Sequence, residues 1–109
     1  MEELESVIFG IISYSGNAKG LCYEALAASE EGDFETSEKL MNEAENDIRE
    51  AHKIQTSIIH KEAAGEKIDV GVIFVHAQDH LMTTLSEKAL IERMIKQNKR
   101  IYDIEQKLK

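Results

Sequence analysis

Apolar residues recur every three or four positions along most of the chain, and this periodicity is typical of amphipathic helices. The pattern predicts three long helices, over about residues 2–31, 34–64 and 70–108. Two short segments that contain glycine and charged residues separate them. The sequence therefore predicts an all-α fold without an internal repeat or a linker.

The two separating segments carry residues that end one helix and begin the next. Gly32 suits the left-handed conformation that follows a helix C-terminus, and the Asp33 side chain can cap the second helix. Gly65 is expected to end the second helix, and Asp69 is the expected cap of the third. Both connections are therefore only a few residues long.

Three helices of about thirty residues would each span about 45 Å. Since short connections place consecutive helices antiparallel, we expect an up-down-up three-helix bundle formed by residues 1–109 as one domain. The apolar stripes of the first and third helices are wider than one helix–helix seam, and so thin a bundle cannot bury them. We therefore expect self-association through a symmetric helical interface.

Charge and composition exclude several classes of protein. The chain has 13 basic and 21 acidic residues, and its formal charge of −8 argues against a nucleic-acid partner. No segment approaches the ~18 apolar residues of a membrane span, so no membrane insertion is expected. The acidic start MEELES is unlike a secretory signal, so secretion is not expected either. The single cysteine, Cys22, is expected to be a core residue of a cytoplasmic protein.

The third predicted helix contains a polar stripe between apolar residues. Its face consists of Val72, His76, Asp79, Thr83, Ser86 and Leu90. His76 and Asp79 are three positions apart, so their Cβ atoms are expected to lie about 5–6 Å from each other. Such stripes are common on helix surfaces. One interpretation is therefore a solvent-facing stripe in which the histidine makes ordinary hydrogen bonds and has no chemical role.

Two chemical interpretations compete with that one. His76 and His80 could bind zinc from one face of the helix, because they are four positions apart. However, Ala77 replaces the glutamate of HExxH, Asp79 replaces the glutamate of the inverted HxxEH pattern, and no distant third ligand stands out. The other interpretation is a nucleophilic histidine, since a neutral imidazole can attack phosphorus without a separate base. Periodicity permits this chemistry without establishing it.

Several segments resemble one known family. The run VHAQDHLMTT, at residues 75–84, resembles the active-site segment of the lactose/cellobiose-type enzyme IIA proteins of the bacterial sugar phosphotransferase system. The segments SYSGNAKG and YEALAASEEGDFETSEKLMNEA resemble the first helical hairpin of that family, and EAHKIQTSIIHKEAAGE resembles the end of its second helix. The resemblance covers nearly the whole chain.

The resemblance implies a compact homotrimer and a defined chemistry. A histidine at the position of His76 accepts a phosphoryl group through Nε2 from the carrier HPr, and passes it to a cysteine of the cognate IIB protein or domain. An aspartate at the position of Asp79 faces the threefold axis near a shared divalent cation, for which oxygen ligands favour Mg²⁺. Gln78 and His80 also match the family motif, and we expect them to support the site.

Gln55 interrupts the apolar stripe of the second helix. We expect a buried amide that bonds another polar group, or a contact with the active-site histidine. With the resemblance, the sequence predicts a cytoplasmic phosphocarrier for uptake of a β-linked disaccharide or oligosaccharide, with the cellobiose type favoured over the lactose type. The alternative is a regulatory or structural helical bundle that no longer transfers phosphate.

Overall fold

The computed structural model describes residues 2–109, with side chains from Leu4 onward. It contains three α-helices, α1 Glu2–Glu30, α2 Phe34–Ala63 and α3 Val72–Leu108. No strand occurs within the described residues. The prediction of an all-α fold with three helices is confirmed, and the helix ends lie within about two residues of the predicted ones.

The turn between α1 and α2 has the predicted chemistry. Gly32 has a φ of 81°, in the left-handed region that glycine adopts without a steric cost. The Asp33 carboxylate accepts a hydrogen bond from the backbone N–H of Thr36 at 3.1 Å and so caps α2. Hydrogen bonding from Thr36 lowers the pKa of the Asp33 carboxyl, because it stabilises the ionised form.

The connection between α2 and α3 agrees with the prediction at its beginning only. Gly65 has a φ of 97° and follows the end of α2, as expected. The N-cap of α3 is Gly71, and no side chain makes a capping hydrogen bond there. The prediction that Asp69 caps α3 is therefore wrong. A side chain caps a helix from the position just before its first helical residue, and α3 begins too late for Asp69 to do so.

The core lies along the side of α1 that faces the other two helices. One cluster of buried side chains fills the end where α3 begins, and its members are Ile8, Ile11, Ala51, Ile58, Phe74, Ala77 and Leu81. A second cluster follows it towards the end of α1, with Ala18, Cys22, Ala44, Ile48 and Ile91. Cys22 is a buried core residue as predicted, and burial raises the pKa of its thiol.

Helices α1 and α2 pair in opposite order along the chain. The Asn17 amide donates to the Asp47 carboxylate near the middle of both helices. The Ser37 hydroxyl, at the start of α2, donates to the Ala25 carbonyl near the end of α1 at 2.8 Å. The molecule is a rod of 63 × 20 × 20 Å. None of the helices in the described part of the chain is long and apolar enough to cross a membrane.

Helices α1 and α3 pair in the same order along the chain. Gly16, in the middle of α1, lies against His80, near the beginning of α3. Farther along both helices, the Asn98 amide of α3 donates to the Ser29 hydroxyl of α1 at 2.9 Å. Both α2 and α3 therefore pack on α1, which lies between them.

Helices α2 and α3 contact each other far less than either contacts α1. Polar contacts cross the gap between them. Lys88 Nζ lies 2.7 Å from Glu45 Oε2, and Gln55 Nε2 donates to Gln78 Oε1 at 2.7 Å. The groove between α2 and α3 is consequently bridged by polar side chains and opens as a hollow on either side of these contacts.

Candidate functional site

His76 and His80 lie one turn apart near the beginning of α3. Their imidazole rings are nearly parallel, with an angle of 6° between the planes and 6.1 Å between the centroids. His76 is exposed, whereas His80 is partly buried. An exposed neutral imidazole presents a nitrogen lone pair to an incoming electrophile. His76 is therefore the histidine of this pair that a partner molecule can reach more easily.

His80 packs beside a glycine of α1. A Cβ atom at Gly16 would lie 3.4 Å from His80 Nε2, so glycine allows α1 to pass close to the ring. The Thr83 hydroxyl donates a hydrogen bond to the His80 carbonyl at 3.2 Å. The structure thus keeps His80 in the seam between α1 and α3, next to the exposed ring of His76.

A polar cluster that the sequence analysis missed joins α1 to α3 beyond His80. Tyr23 Oη donates to Glu87 Oε1 at 2.6 Å, and Lys19 Nζ lies 3.1 Å from Glu87 Oε2. Hydrogen bonds from Tyr23 and Lys19 lower the pKa of the Glu87 carboxyl, and nearby His80 acts in the same direction. The one sequence signal was that Lys19 is the only basic residue of α1.

Gln55 and Gln78 form a partly buried amide pair between α2 and α3. Gln55 therefore bonds another polar group, which was the first of its two predicted roles. Positions two apart on a helix point about 200° away from each other, so Gln78 leaves α3 on a different side from His76. Within one chain, the structure brings the two glutamines together at one seam and His80 close to α1 at another.

Asp79 is exposed and lies within one turn of His76. A carboxylate is a hard oxygen ligand that suits Mg²⁺ or Ca²⁺. Among the described residues, no group of three or more His, Cys, Asp or Glu side chains is arranged to hold a metal ion. Within the described part of one chain, Asp79 is therefore not part of such a group.

The face of α3 that carries His76 and Asp79 continues as a line of exposed apolar side chains. We call this line the α3 stripe, and it consists of Leu90, Met94, Ile101, Ile104 and Leu108. Successive members are three, four or seven positions apart, which is the spacing of a coiled-coil seam. Gln97 lies on this face between Met94 and Ile101. An exposed, largely apolar line of this kind is typical of an interface with another helix.

Comparison with known proteins places these helices and this histidine segment in a class, the enzyme IIA components of sugar phosphotransferase systems. Residues 6–99 match the family described as "PTS system, Lactose/Cellobiose specific IIA subunit". The chain belongs to this family, which confirms the resemblance found in the sequence.

Two relatives illustrate the range of the family. The chain is 40% identical over 106 residues to the PTS system galactose-specific EIIA component of Lactococcus lactis subsp. cremoris, covering 97% of this chain and 91% of the relative. It is 39% identical over 100 residues to the N,N'-diacetylchitobiose-specific EIIA component of Escherichia coli K12, covering 92% and 86% of the two chains.

Solved structures show the same fold. The PTS cellobiose-specific enzyme IIA from Bacillus anthracis superposes with a TM-score of 0.89 at 37% identity, covering 91% of each chain. The enzyme IIA of a IIA(Chitobiose)–HPr complex superposes with a TM-score of 0.82 at 36% identity, covering 94% of this chain and 99% of that one. A protein of this fold thus forms a complex with HPr.

Proposed function

We propose that this chain is a phosphocarrier that accepts a phosphoryl group on His76 from phosphorylated HPr and passes it to a cysteine of the cognate IIB protein or domain. The observation that carries the proposal is the exposed imidazole of His76 within a segment that resembles the active-site segment of the family. The IIA(Chitobiose)–HPr complex supports HPr as the donor.

The chemistry requires one nucleophilic nitrogen and no separate base. The lone pair of the His76 imidazole attacks phosphorus, an N–P bond forms at His76, and the N–P bond to the donor histidine breaks with its electrons returning to that nitrogen. In the second step a thiolate of IIB attacks the same phosphorus, a P–S bond forms and the N–P bond at His76 breaks. His76 then regains its lone pair for the next cycle.

The α3 stripe supports a homotrimer in which each subunit is an up-down-up bundle. Three copies arranged around one axis can bury their stripes against each other, as three parallel helices do in a trimeric coiled coil. His76 and Asp79 share the face of α3 that carries the stripe, so such an assembly would bring both residues close to neighbouring subunits.

Asp79 is proposed to share a divalent cation, with Mg²⁺ favoured, with the Asp79 residues of the two other subunits. The phosphoryl group carries roughly two negative charges near neutral pH, and an unneutralised carboxylate one turn away would repel it. A divalent cation held by the three Asp79 carboxylates would offset that repulsion. His80 and the amide pair of Gln55 and Gln78 are proposed to support the site.

We propose that the transported sugar is a β-linked disaccharide or oligosaccharide, which is phosphorylated in the cytoplasm as it is taken up. The cellobiose type is favoured over the lactose type. Relatives named for galactose, cellobiose and lactose are 40%, 40% and 42% identical to the chain. Identity at that level does not separate the sugars, so the preference rests on the sequence of the histidine segment.

The decisive experiment is incubation of the purified chain with phosphoenolpyruvate, enzyme I and HPr, followed by intact-mass measurement. We expect a gain of one phosphoryl group per chain, dependent on HPr and reversed on adding IIB with an intact cysteine. A chain that gains no phosphoryl group under these conditions would instead be the regulatory or structural bundle.

A further inference from the structure

A hollow of about 260 Å³ lies on the exposed face of α3, within the α3 stripe. Its lining residues are Gln97, Arg100, Ile101 and Ile104. Ile101 and Ile104 are 54% and 57% exposed, so the hollow presents apolar side chains to solvent. All four residues belong to α3, and no other helix in the described part of the chain contributes to the lining. A single chain therefore leaves this hollow open.

The four lining residues have the spacing of a hole in a coiled coil. In a heptad labelled a to g, Gln97 and Ile104 occupy d positions, while Arg100 occupies a g position and Ile101 an a position. A side chain of the facing helix inserts into a hole formed by four such residues. The middle of this hole lies at the height of Arg100 and Ile101, so a neighbouring α3 that runs parallel and in register presents its own Ile101 there. The hollow therefore fits a second copy of this chain.

Opposite charges flank the stripe on its two edges. Arg100 occupies a g position on one edge, and Glu105 occupies the next e position on the other. Five positions on a helix correspond to about 140° of rotation, so the two side chains of one subunit point away from each other. Among the described residues of its own chain, neither has an ion-pair partner. In a parallel coiled coil, a g residue faces the next e residue of the neighbouring helix, which here places Arg100 opposite Glu105 of a second copy.

Other arrangements of two α3 helices lose this match. In an antiparallel pair, g positions face g positions, and those of this segment are Arg93, Arg100 and Lys107. All three are basic and exposed, so an antiparallel neighbour would bring like charges together, which is unfavourable. A parallel neighbour shifted by one heptad towards the beginning of α3 places Arg100 opposite Asn98, which carries no charge. The charges therefore favour the parallel arrangement in register.

We propose that Arg100 of each subunit pairs with Glu105 of the neighbouring subunit, and that this pair selects a second copy of this chain, parallel and in register, as the partner of α3. This inference rests on the proposed homotrimer and adds the residues that select its subunits. Ile101 of the neighbour fills the hollow, and the ion pair lies at its edge. An exposed ion pair adds little to stability, but opposite charges at the edge of an interface reject partners that carry the wrong sign.

Exchanging the two charges tests the pair. A double variant with Arg100→Glu and Glu105→Arg keeps the pair with its signs exchanged, but a mixed contact with the wild type brings like charges together. The ¹⁵N-labelled wild type and the unlabelled double variant are unfolded in urea, mixed equally and refolded, and native mass spectrometry counts the trimers at low ionic strength. We expect mixed trimers at least about fivefold below the proportions of random mixing, because each contains two like-charge contacts. Random proportions, or a wild type that forms no trimer, overturn the proposal.

The two single substitutions should give the opposite result. Arg100→Glu alone places two carboxylates at each contact, and Glu105→Arg alone places two cations there. Mixed with each other, these variants should form mixed trimers at the expense of both homotrimers, because opposite charges then meet at two of the three contacts. The two positions point away from each other within one chain, so only a contact between subunits explains this preference. Random mixing of the two single variants overturns the proposal.

Lys96→Glu is the matched control, since it makes the same change of charge on an exposed part of α3 outside the stripe. It should mix with the wild type at random, and the same exclusion from mixed trimers as for the double variant would overturn the assignment to Arg100. Phosphoryl acceptance is measured separately on each protein. A chain that accepts a phosphoryl group but mixes at random contradicts the ion pair alone, and a chain that selects its own copies without accepting one contradicts the phosphocarrier alone.

Discussion

The ring of Tyr102, near the end of α3, packs directly on the backbone of Gly32, in the turn between α1 and α2. A Cβ atom at Gly32 would lie 3.0 Å from Tyr102 Cε2, closer than a normal side-chain contact allows. Phe34 meets the same ring edge-on with 5.5 Å between ring centroids, and Lys99 Nζ lies 5.4 Å from its centroid. The turn and the last part of α3 are thus held together by one aromatic side chain.

Gly32→Ala is therefore expected to destabilise the protein. It places a Cβ at a φ of 81° and against the Tyr102 ring, and we expect a loss of about 1–2 kcal/mol in free energy of unfolding. Gly20→Ala is the control, because a Cβ at that helical position meets no atom within 4 Å. It should be neutral or stabilise by up to about 1 kcal/mol. Urea unfolding of both variants measures the difference, and equal effects would contradict the role of Gly32.

The sequence was sufficient to predict the helices and the turn glycines, because these depend on local spacing and on backbone conformation. The beginning of α3 was predicted two residues early, since Asp69 and Gly71 are both acceptable caps and the sequence alone does not choose between them.

The contacts between distant residues could not be predicted in the same way. Glu87 meets Tyr23 only because α1 and α3 pack side by side, and Gln55 meets Gln78 only because of the register between α2 and α3. Such pairs depend on tertiary packing. His76 and Asp79 were singled out by a polar stripe and a family motif that both lie within one helix.

His76→Ala is expected to abolish phosphoryl acceptance while the fold remains intact, because the exposed side chain contributes a nucleophile and little core volume. The wild-type label should be acid-labile and alkali-stable, as expected for a phosphoramidate. Intact mass measures acceptance, circular dichroism checks the fold, and fragmentation locates the label. Full labelling of the variant, or a label on His80, would show that another residue is the nucleophile.

Ile104→Asp is expected to weaken self-association, because it places a charge within the α3 stripe. Light scattering at micromolar concentration should give three times the chain mass of 12.3 kDa for the wild type and a smaller value for the variant. Gln106→Asp is the matched control, since it adds the same charge to the same exposed part of α3, away from the stripe. A monomeric wild type, or equal losses in the two variants, rules out the stripe as the interface.

Glu87→Gln is expected to lower stability near neutral pH and to have less effect in acid. Tyr23 and Lys19 lower the pKa of Glu87 in the folded chain, so the ionised carboxylate stabilises the fold above its unfolded pKa near 4.3. That contribution is lost as pH falls through the lower folded pKa. We expect less than about 1 kcal/mol at pH 7, because the cluster is partly solvated. Urea unfolding at pH 7 and pH 3 measures it, and a penalty that grows in acid would reverse the assignment.

Asp79→Leu tests whether Asp79 binds a shared cation. If three Asp79 carboxylates converge on the axis of a trimer, their mutual repulsion weakens the assembly in the absence of a cation. A divalent cation offsets that repulsion. EDTA should therefore lower the melting temperature of the wild type at pH 7.5.

The variant replaces each of these carboxylates with an apolar side chain. Asp79→Leu should melt at the same temperature with and without EDTA, and at or above that of the chelated wild type, because apolar contacts replace buried like charges. The variant keeps His76, so its phosphoryl acceptance can be measured. Acceptance at the wild-type level would show that the cation is structural, and a loss of acceptance would show that transfer needs it. If EDTA shifts both proteins equally, the cation binds elsewhere. If EDTA shifts the melting temperature of neither protein, Asp79 holds no cation, and the role of its carboxylate must then lie in the site beside His76.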